Sequence, residues 1–338
     1  MIVDGQDPQA IRAAACALAA GAIVGVPTET VYGLAADAQS DAAVARIYAA
    51  KGRPSDHPLI VHVADAAAVA HFASAVPDFA QRLMQAFWPG PLTVILPRRP
   101  GVASAATGHQ DSIALRCPSH PVALALLRAC TQTPVPGEAT DRTVHGLAAP
   151  SANKFGRVSP TTAAHVRSEF GDELLVLDGG ACEVGIESAI VDCTRGAPVL
   201  LRPGALTRAQ LAAACGQDVL PGHALDSAAP RASGTLQAHY APDAKVRLMD
   251  AAALQTALDL LGADAAHIAV YARCVPRSHS PRVVLRRMPD DAAAVAQQLF
   301  AVLREFDAGG ARLIWIEVPP DTPEWDGVRD RLQRASAA

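Results

Sequence analysis

Lysine is nearly absent from this 338-residue sequence: of 29 basic residues only Lys51, Lys154 and Lys245 are lysines. A chain that writes arginine almost everywhere makes each compact ammonium worth questioning, because lysine suits phosphate oxygens. Long apolar runs are missing too. No stretch of about 18 apolar residues could span a bilayer, and the N-terminus starts acidic and continues as a helix-like pattern. No membrane association and no signal peptide are expected, and a cytoplasmic protein is. Aromatics make up 4% and the net charge is −4, which argues against a broad basic face for stable nucleic-acid binding. The seven cysteines are scattered, odd in number and without a CxxC, so no zinc ribbon or disulfide framework is expected, and small buried hydrophobes are. No P-loop, G-x-S-x-G or H-E-x-x-H occurs. What is present is apolar material for a core, 50% hydrophobic against 18% charged residues, at a length that suits two domains.

Periodicity predicts a helix over Pro8–Ala20 and then a β-branched strand running into the polar turn PTETVYGL. A helix follows over Ser40–Ala50, then the loop KGRPSDHP and the buried strand LIVHVAD. Helices over Asp65–Ala73, Pro77–Phe87, Pro121–Cys130 and Thr161–Phe170 alternate with strands, several of which adjoin directly. Ile186–Cys193 and Pro198–Arg202 read as a hairpin. The expected fold is α/β, a twisted open mixed sheet over residues 1–210. Residues 211–243, rich in Ala, Gly, Ser and Pro, read as a linker. Residues 244–338 read as a smaller Rossmann-like α/β domain, without a GxGxxG after its first strand.

Polar clusters sit at the strand ends. Thr28, Glu29, Thr30 and Tyr32 surround a Gly hinge, a pattern that also fits a capped turn. Lys51 and Arg53 lie in a Gly/Pro loop suited to phosphate or simply solvated, with His57 after them and His62 in an apolar strand where a core histidine is the competing reading. By strand alternation Ser112, Ala114 and Arg116 share a face opposite Ile113 and Leu115, so Arg116 needs an acidic partner or an anionic ligand. APSAN (Ala149–Asn153), followed by Arg157 and Ser159, offers small residues and hydroxyls for close approach; GIESAIVD and LLRPG add Ser188 and Arg202. Each cluster alone is weak. Together one lysine and three arginines with hydroxyls describe a pocket for an anionic ligand, and a polyphosphate fits better than a neutral metabolite.

PTETVYGL, KGRPSDHPLIVHV, FWPGPLTVIL, SIALRCPSHP, APSAN, GIESAIVD and LLRPG, in this order, resemble the YrdC-type threonylcarbamoyl-AMP synthases over roughly residues 10–210. HYAP followed by a second α/β unit resembles their long, two-domain form. The resemblance implies condensation of L-threonine, bicarbonate and ATP to threonylcarbamoyl-adenylate with release of pyrophosphate. A downstream complex then transfers the threonylcarbamoyl group to tRNA beside the anticodon.

The resemblance further implies that Thr28, His62, Arg116, the backbone at Ala149, and Ser188 hold threonine, with Arg116 facing its carboxylate. Lys51, Arg53, His57, Ser112, Ser151, Asn153, Ser159 and Arg202 would bind ATP, Lys51 and Arg53 acting as the catalytic cations. Tyr240 would close the linker over the nucleotide. No protein metal site is expected, the Mg²⁺ being carried by ATP. Two departures stand out: TQTPVPGEATDRTVHG reads as a surface loop inserted before APSAN, and Ala232-Ser233-Gly234 replaces an SPG step. Competing readings are an RNA-binding module, opposed by charge and scarce aromatics, and a different carbamoyl or adenylyl transferase.

Overall fold

The computed structural model describes residues 1–137, 142–222, 229–235 and 238–338. The chain divides into two compact units: one is Met1–Phe155 with Ser159–Thr235, and the other is Gly156–Val158 with the chain beyond Thr235. The first unit therefore runs past the expected end at residue 210, and it keeps part of the segment read as linker.

Among the described residues its sheet has β1 (Ile2–Asp4), β2 (Val24–Val26), β3 (Gly33–Asp37), β4 (Ile60–His62), β5 (Leu92–Pro97), β6 (Ser112–Arg116), β7 (Leu147–Ala148), β8 (Val176–Asp178), β9 (Ala189–Asp192), β10 (Val199–Arg202) and β11 (Leu220–Pro221). Their order is β1-β8-β2-β3-β7-β4-β6-β5-β9-β10-β11. The ladder is mixed: β4/β6 and β5/β9 are parallel, β5/β6 and β9/β10 antiparallel. The mixed sheet and the β9–β10 hairpin follow the sequence reading. The short strands β1 and β11 escaped it, since three-residue and two-residue segments carry too few positions to show a period.

Capping fixes the helices. Asp7 accepts from Gln9 N ahead of Pro8 at the first helical turn. Thr207 and Gln210 form a reciprocal capping box, while Ser40 and Thr162 each accept from the backbone N–H three residues further on. The expected helix over Asp65–Ala73 forms as a short 3₁₀ turn, Ala66–Ala68, leading into Val69–Phe72. One core packs Leu34, Ile47, Val61, Leu83, Val94, Leu115 and Val191 on one sheet face; a second packs Leu18, Val24, Leu126, Leu147 and Leu177. Each such fully buried side chain contributes about 1.5–3 kcal/mol. Ile113 and Leu115 enter the first core while Ala114 faces Ile60, Ile95 and Ile190, so the predicted alternation along β6 holds.

The inserted segment before APSAN turns back on itself, with Pro134 bridged to Thr143 and Arg142 paired with buried Asp37 at 2.9 Å. Its residues 138–141 lie outside the described residues.

The second unit has β12 (Lys245–Met249), β13 (Ile268–Ala272), β14 (Val284–Arg287) and β15 (Leu313–Glu317), all parallel in the order β12-β15-β13-β14. Its helices are Ala251–Leu261, Ala292–Ala308 and Asp326–Ser336.

Candidate active site

Register brings the first pair of site residues together. β4 and β6 run parallel with His62 opposite Arg116, at the same strand ends. His62 is 6% exposed. Burial, and secondarily the Arg116 guanidinium, push its pKa down to about 3, so the imidazole is neutral. The backbone carbonyls of Ile60 and Leu147 lie close to the ring and oppose this shift without reversing it. Thr28, Gly33, Pro118, Leu147 and Ala149 line the small cleft beside it. Thr28 Oγ1 donates to the Val31 carbonyl at 2.6 Å and accepts from Val31 N, an internal turn that fixes its orientation. The Ala149 N–H is engaged by the Ile60 carbonyl at 3.0 Å, so only its carbonyl is left for a ligand.

Arg116 has the acidic partner that its strand position demanded. Nη2 donates to Glu29 Oε1 at 2.7 Å, with both side chains 4% exposed. Glu29 Oε2 accepts from Ser119 N, and Arg116 Nε reaches the Gly90 carbonyl at 3.4 Å. These contacts fix the plane of the guanidinium. Glu29 lay in view within the PTETVYGL turn, but only the tertiary pairing gives it a partner.

Lys51 departs from its expected setting. It is not in an exposed loop. It is the last residue of the helix Asp41–Lys51, which ends on Gly52 in the left-handed region (φ 63°), where glycine carries no Cβ penalty. Its side chain is 2% exposed, and Nζ donates to the carbonyls of Ser151, at 2.6 Å, and Asn153. Burial first, then Arg53, lower its pKa well below the usual lysine value. The ammonium thus ties down the APSAN loop, and two of its three donors are engaged. Helix termination by Gly52 placed it inside, a detail the Gly/Pro composition of the loop disguised.

Arg53 donates to the Pro58 carbonyl at 2.9 Å and lies 5.7 Å from the Phe155 ring centroid. His57 meets the same ring edge-on at 5.5 Å, and burial and Arg53 lower its pKa. Phe155 was not among the expected site residues. Ser159 is fully buried and donates to Glu187. Ser112 stands at the opposite end of β6, facing Pro97. At about 3.3 Å per residue it is roughly 13 Å from Arg116.

The residues expected for threonine and those expected for ATP meet at Ser188. Arg202 Nε and Nη2 donate to the Ser188 carbonyl at 3.0 and 2.9 Å, and Nη2 also approaches Ser188 Oγ at 3.2 Å. Ser188 Oγ shares a 2.7 Å hydrogen bond with Thr93. Gly204 makes this crossing feasible, because a Cβ there would sit 2.4 Å from Ala189 N.

Tyr240 is placed in the second unit. It is fully buried, stacked on Phe300 at 5.5 Å and under the Arg331 guanidinium at 5.4 Å, with φ 61°. Arg157, from the fourth polar cluster, also joins that unit, where it pairs with Asp243. A separate cavity of about 760 Å³, lined by Val69, Met84, Trp88, Cys117 and Leu124, contains none of the expected site residues. Among the described residues no three His, Cys, Asp or Glu side chains converge to hold a metal, and Glu29 and Glu187 are engaged as described.

The sequence pattern described as Telomere recombination (Sua5_yciO_yrdC) matches residues 16–204, and that described as Threonylcarbamoyl-AMP synthase, C-terminal domain, matches residues 206–337. The chain belongs to the threonylcarbamoyl-AMP synthase family. A threonylcarbamoyl-AMP synthase of Bacillus subtilis is 36% identical over 98% of this chain and 93% of its own length. One from Pyrococcus abyssi is 35% identical over 96% and 94%. A crystal structure of P. abyssi Sua5 complexed with L-threonine has a TM-score of 0.85 at 33% identity, covering 99% of this chain and 97% of that one. A P. abyssi Sua5 with His and Tyr both changed to Ala gives 0.86 at 32%, over 99% and 96%.

Proposed function

We propose that the strand ends around Arg116, Ser188 and Arg202 bind L-threonine beside ATP and join them through a carbamate. The chain is a threonylcarbamoyl-AMP synthase, and L-threonine is its substrate. The observation that carries the division of labour is the Arg202–Ser188 contact, which joins a phosphate-seeking cation to the expected threonine pocket.

In this reading threonine's carboxylate lies on Arg116, whose plane Glu29 and Gly90 hold. Its amine and hydroxyl face neutral His62, Thr28 and the Ala149 carbonyl. A neutral imidazole can accept from or donate to the substrate without adding a second positive charge. The deprotonated amine captures bicarbonate-derived CO₂ to give a carbamate. A carbamate oxygen attacks the α-phosphorus of ATP, and pyrophosphate departs. No covalent enzyme intermediate is needed. The protein's part is positioning, charge neutralisation and exclusion of water from two hydrolysable species. Arg53, Arg202 and the third donor of Lys51 face the phosphates; Ser151, Asn153, Ser159, His57 and Ser112 complete the nucleotide site. Magnesium would enter on the phosphates of ATP.

The product is unstable in water, so a threonylcarbamoyl-transfer complex acting on tRNA is its expected acceptor, with the cytoplasm as the setting. No helix among the described residues is long and apolar enough to cross a membrane. Incubation with ATP, L-threonine and bicarbonate should release pyrophosphate, and omission of any one substrate should stop it. Release that is indifferent to threonine would overturn the reading.

A further inference from the structure

Part of the segment read as a tether is built onto the first unit by a set of contacts centred on Arg231. Its Nη1 pairs with Asp56 Oδ2 at 2.7 Å, and Nη2 donates to the Gly108 carbonyl at 3.2 Å. Its backbone N–H donates to Gln110 Oε1 at 2.8 Å, and Gln110 Nε2 returns a bond to its carbonyl at 3.3 Å. One residue further, Ala232 packs on the apolar patch of Ile60, Ile95 and Ile190. Next, the Ser233 carbonyl accepts from Arg202 Nη1 at 2.9 Å, and Ser233 Oγ lies 3.5 Å from Arg53 Nη2.

The geometry points to a clasp: Asp56 and Gln110 hold Arg231 at the rim, so that Ser233 rests on the two cations expected to take the phosphates of ATP. This rests on the proposed nucleotide site and names residues that hold the strap there. Side chain and backbone of Arg231 are gripped independently, which fixes the strap's register as well as its proximity. Ser233 offers Arg202 only a neutral carbonyl. A phosphate oxygen makes the stronger, charge-assisted bond and displaces it, while the clasp lies outside the cations and stays closed. Arg231 is therefore a positioning residue. It keeps the strap beside the nucleotide, where it excludes water, without contacting the reacting atoms.

The Asp56–Arg231 pair is half exposed, at 60% and 50%, so its disruption should leave folding intact and cost only several-fold in function. In pyrophosphate release, Arg231→Asp and Asp56→Arg should each raise the KM for ATP about three- to tenfold, with kcat within about twofold. The double swap should restore it to within about twofold. Unchanged or lowered KM in the single variants, or a swap no better than either, would overturn the clasp. Limited trypsin digestion gives a readout that does not depend on activity: cleavage after Arg231 should be at least about fivefold faster in Asp56→Ala and in Gln110→Ala than in wild type. Equal cleavage rates would refute it. If wild type releases no threonine-dependent pyrophosphate, the proposed function fails, and the cleavage rates still judge the clasp.

Discussion

Replacing Lys51 by alanine should damage both stability and turnover, because its ammonium has a structural duty before any substrate arrives. The side chain is 2% exposed, and Nζ bonds two carbonyls of the APSAN loop. Hydrogen bonds from a charged donor are worth about 1.5–3 kcal/mol each. The alanine variant loses two, and it also leaves a void where the methylene stem packed, at about 0.8 kcal/mol per CH₂. Against this stands the cost of burying the ammonium, which its lowered pKa registers. The two bonds and three methylenes sum to roughly 5–8 kcal/mol and burying the ion costs several, which leaves a loss of about 3 kcal/mol, or about 6–12 °C in Tm for a unit of this size. With the loop released and a phosphate donor gone, kcat/KM for ATP should fall about 10- to 100-fold. Lys51→Met keeps the volume and removes the buried charge. It should recover most of the Tm and none of the activity. Calorimetry and pyrophosphate release on the three proteins decide the matter. An alanine variant melting within about 1 °C of wild type, or a Met variant as unstable as alanine, would refute the reasoning.

Arg116→Lys should not rescue Arg116→Ala, since a point charge cannot hold Glu29 and a carboxylate in one plane. The threonine KM should rise in both, and a rise confined to the ATP KM would assign this arginine to the other ligand. His62 binds its proton at about 3 when folded and at 6.5 when unfolded. The stability gained from keeping it neutral is therefore complete above pH 6.5 and lost as pH falls from 6.5 towards 3. Between pH 7 and pH 5 wild type should lose about 2 kcal/mol more than His62→Leu in urea melts, and parallel losses would exclude His62. Tyr240→Ala should destabilise the second unit by about 3–5 kcal/mol by opening a cavity against Phe300, while Tyr240→Phe keeps the Tm. A Phe variant with wild-type ATP KM would remove the hydroxyl from nucleotide binding.

The sequence by itself determined the mixed sheet, its helices and the ordered strand-end motifs. Local periodicity and caps such as Asp7, Ser40 and Thr207 are properties of neighbouring residues, and they persist in any context that buries the apolar face. It also presented Arg116 as an arginine in need of a partner. Only tertiary structure decided that the partner is Glu29, 87 residues away in sequence. Tertiary structure likewise decided that His62 is neutral and that Lys51 is an internal tie rather than an exposed loop cation. It also divided the segment read as one linker. Arg231 and Ser233 belong with the first unit, and Tyr240 lies buried against Phe300 in the second. The physical reason is the same throughout. Burial and charge pairing depend on which strand ends lie side by side, and register across a sheet joins residues that no local pattern links.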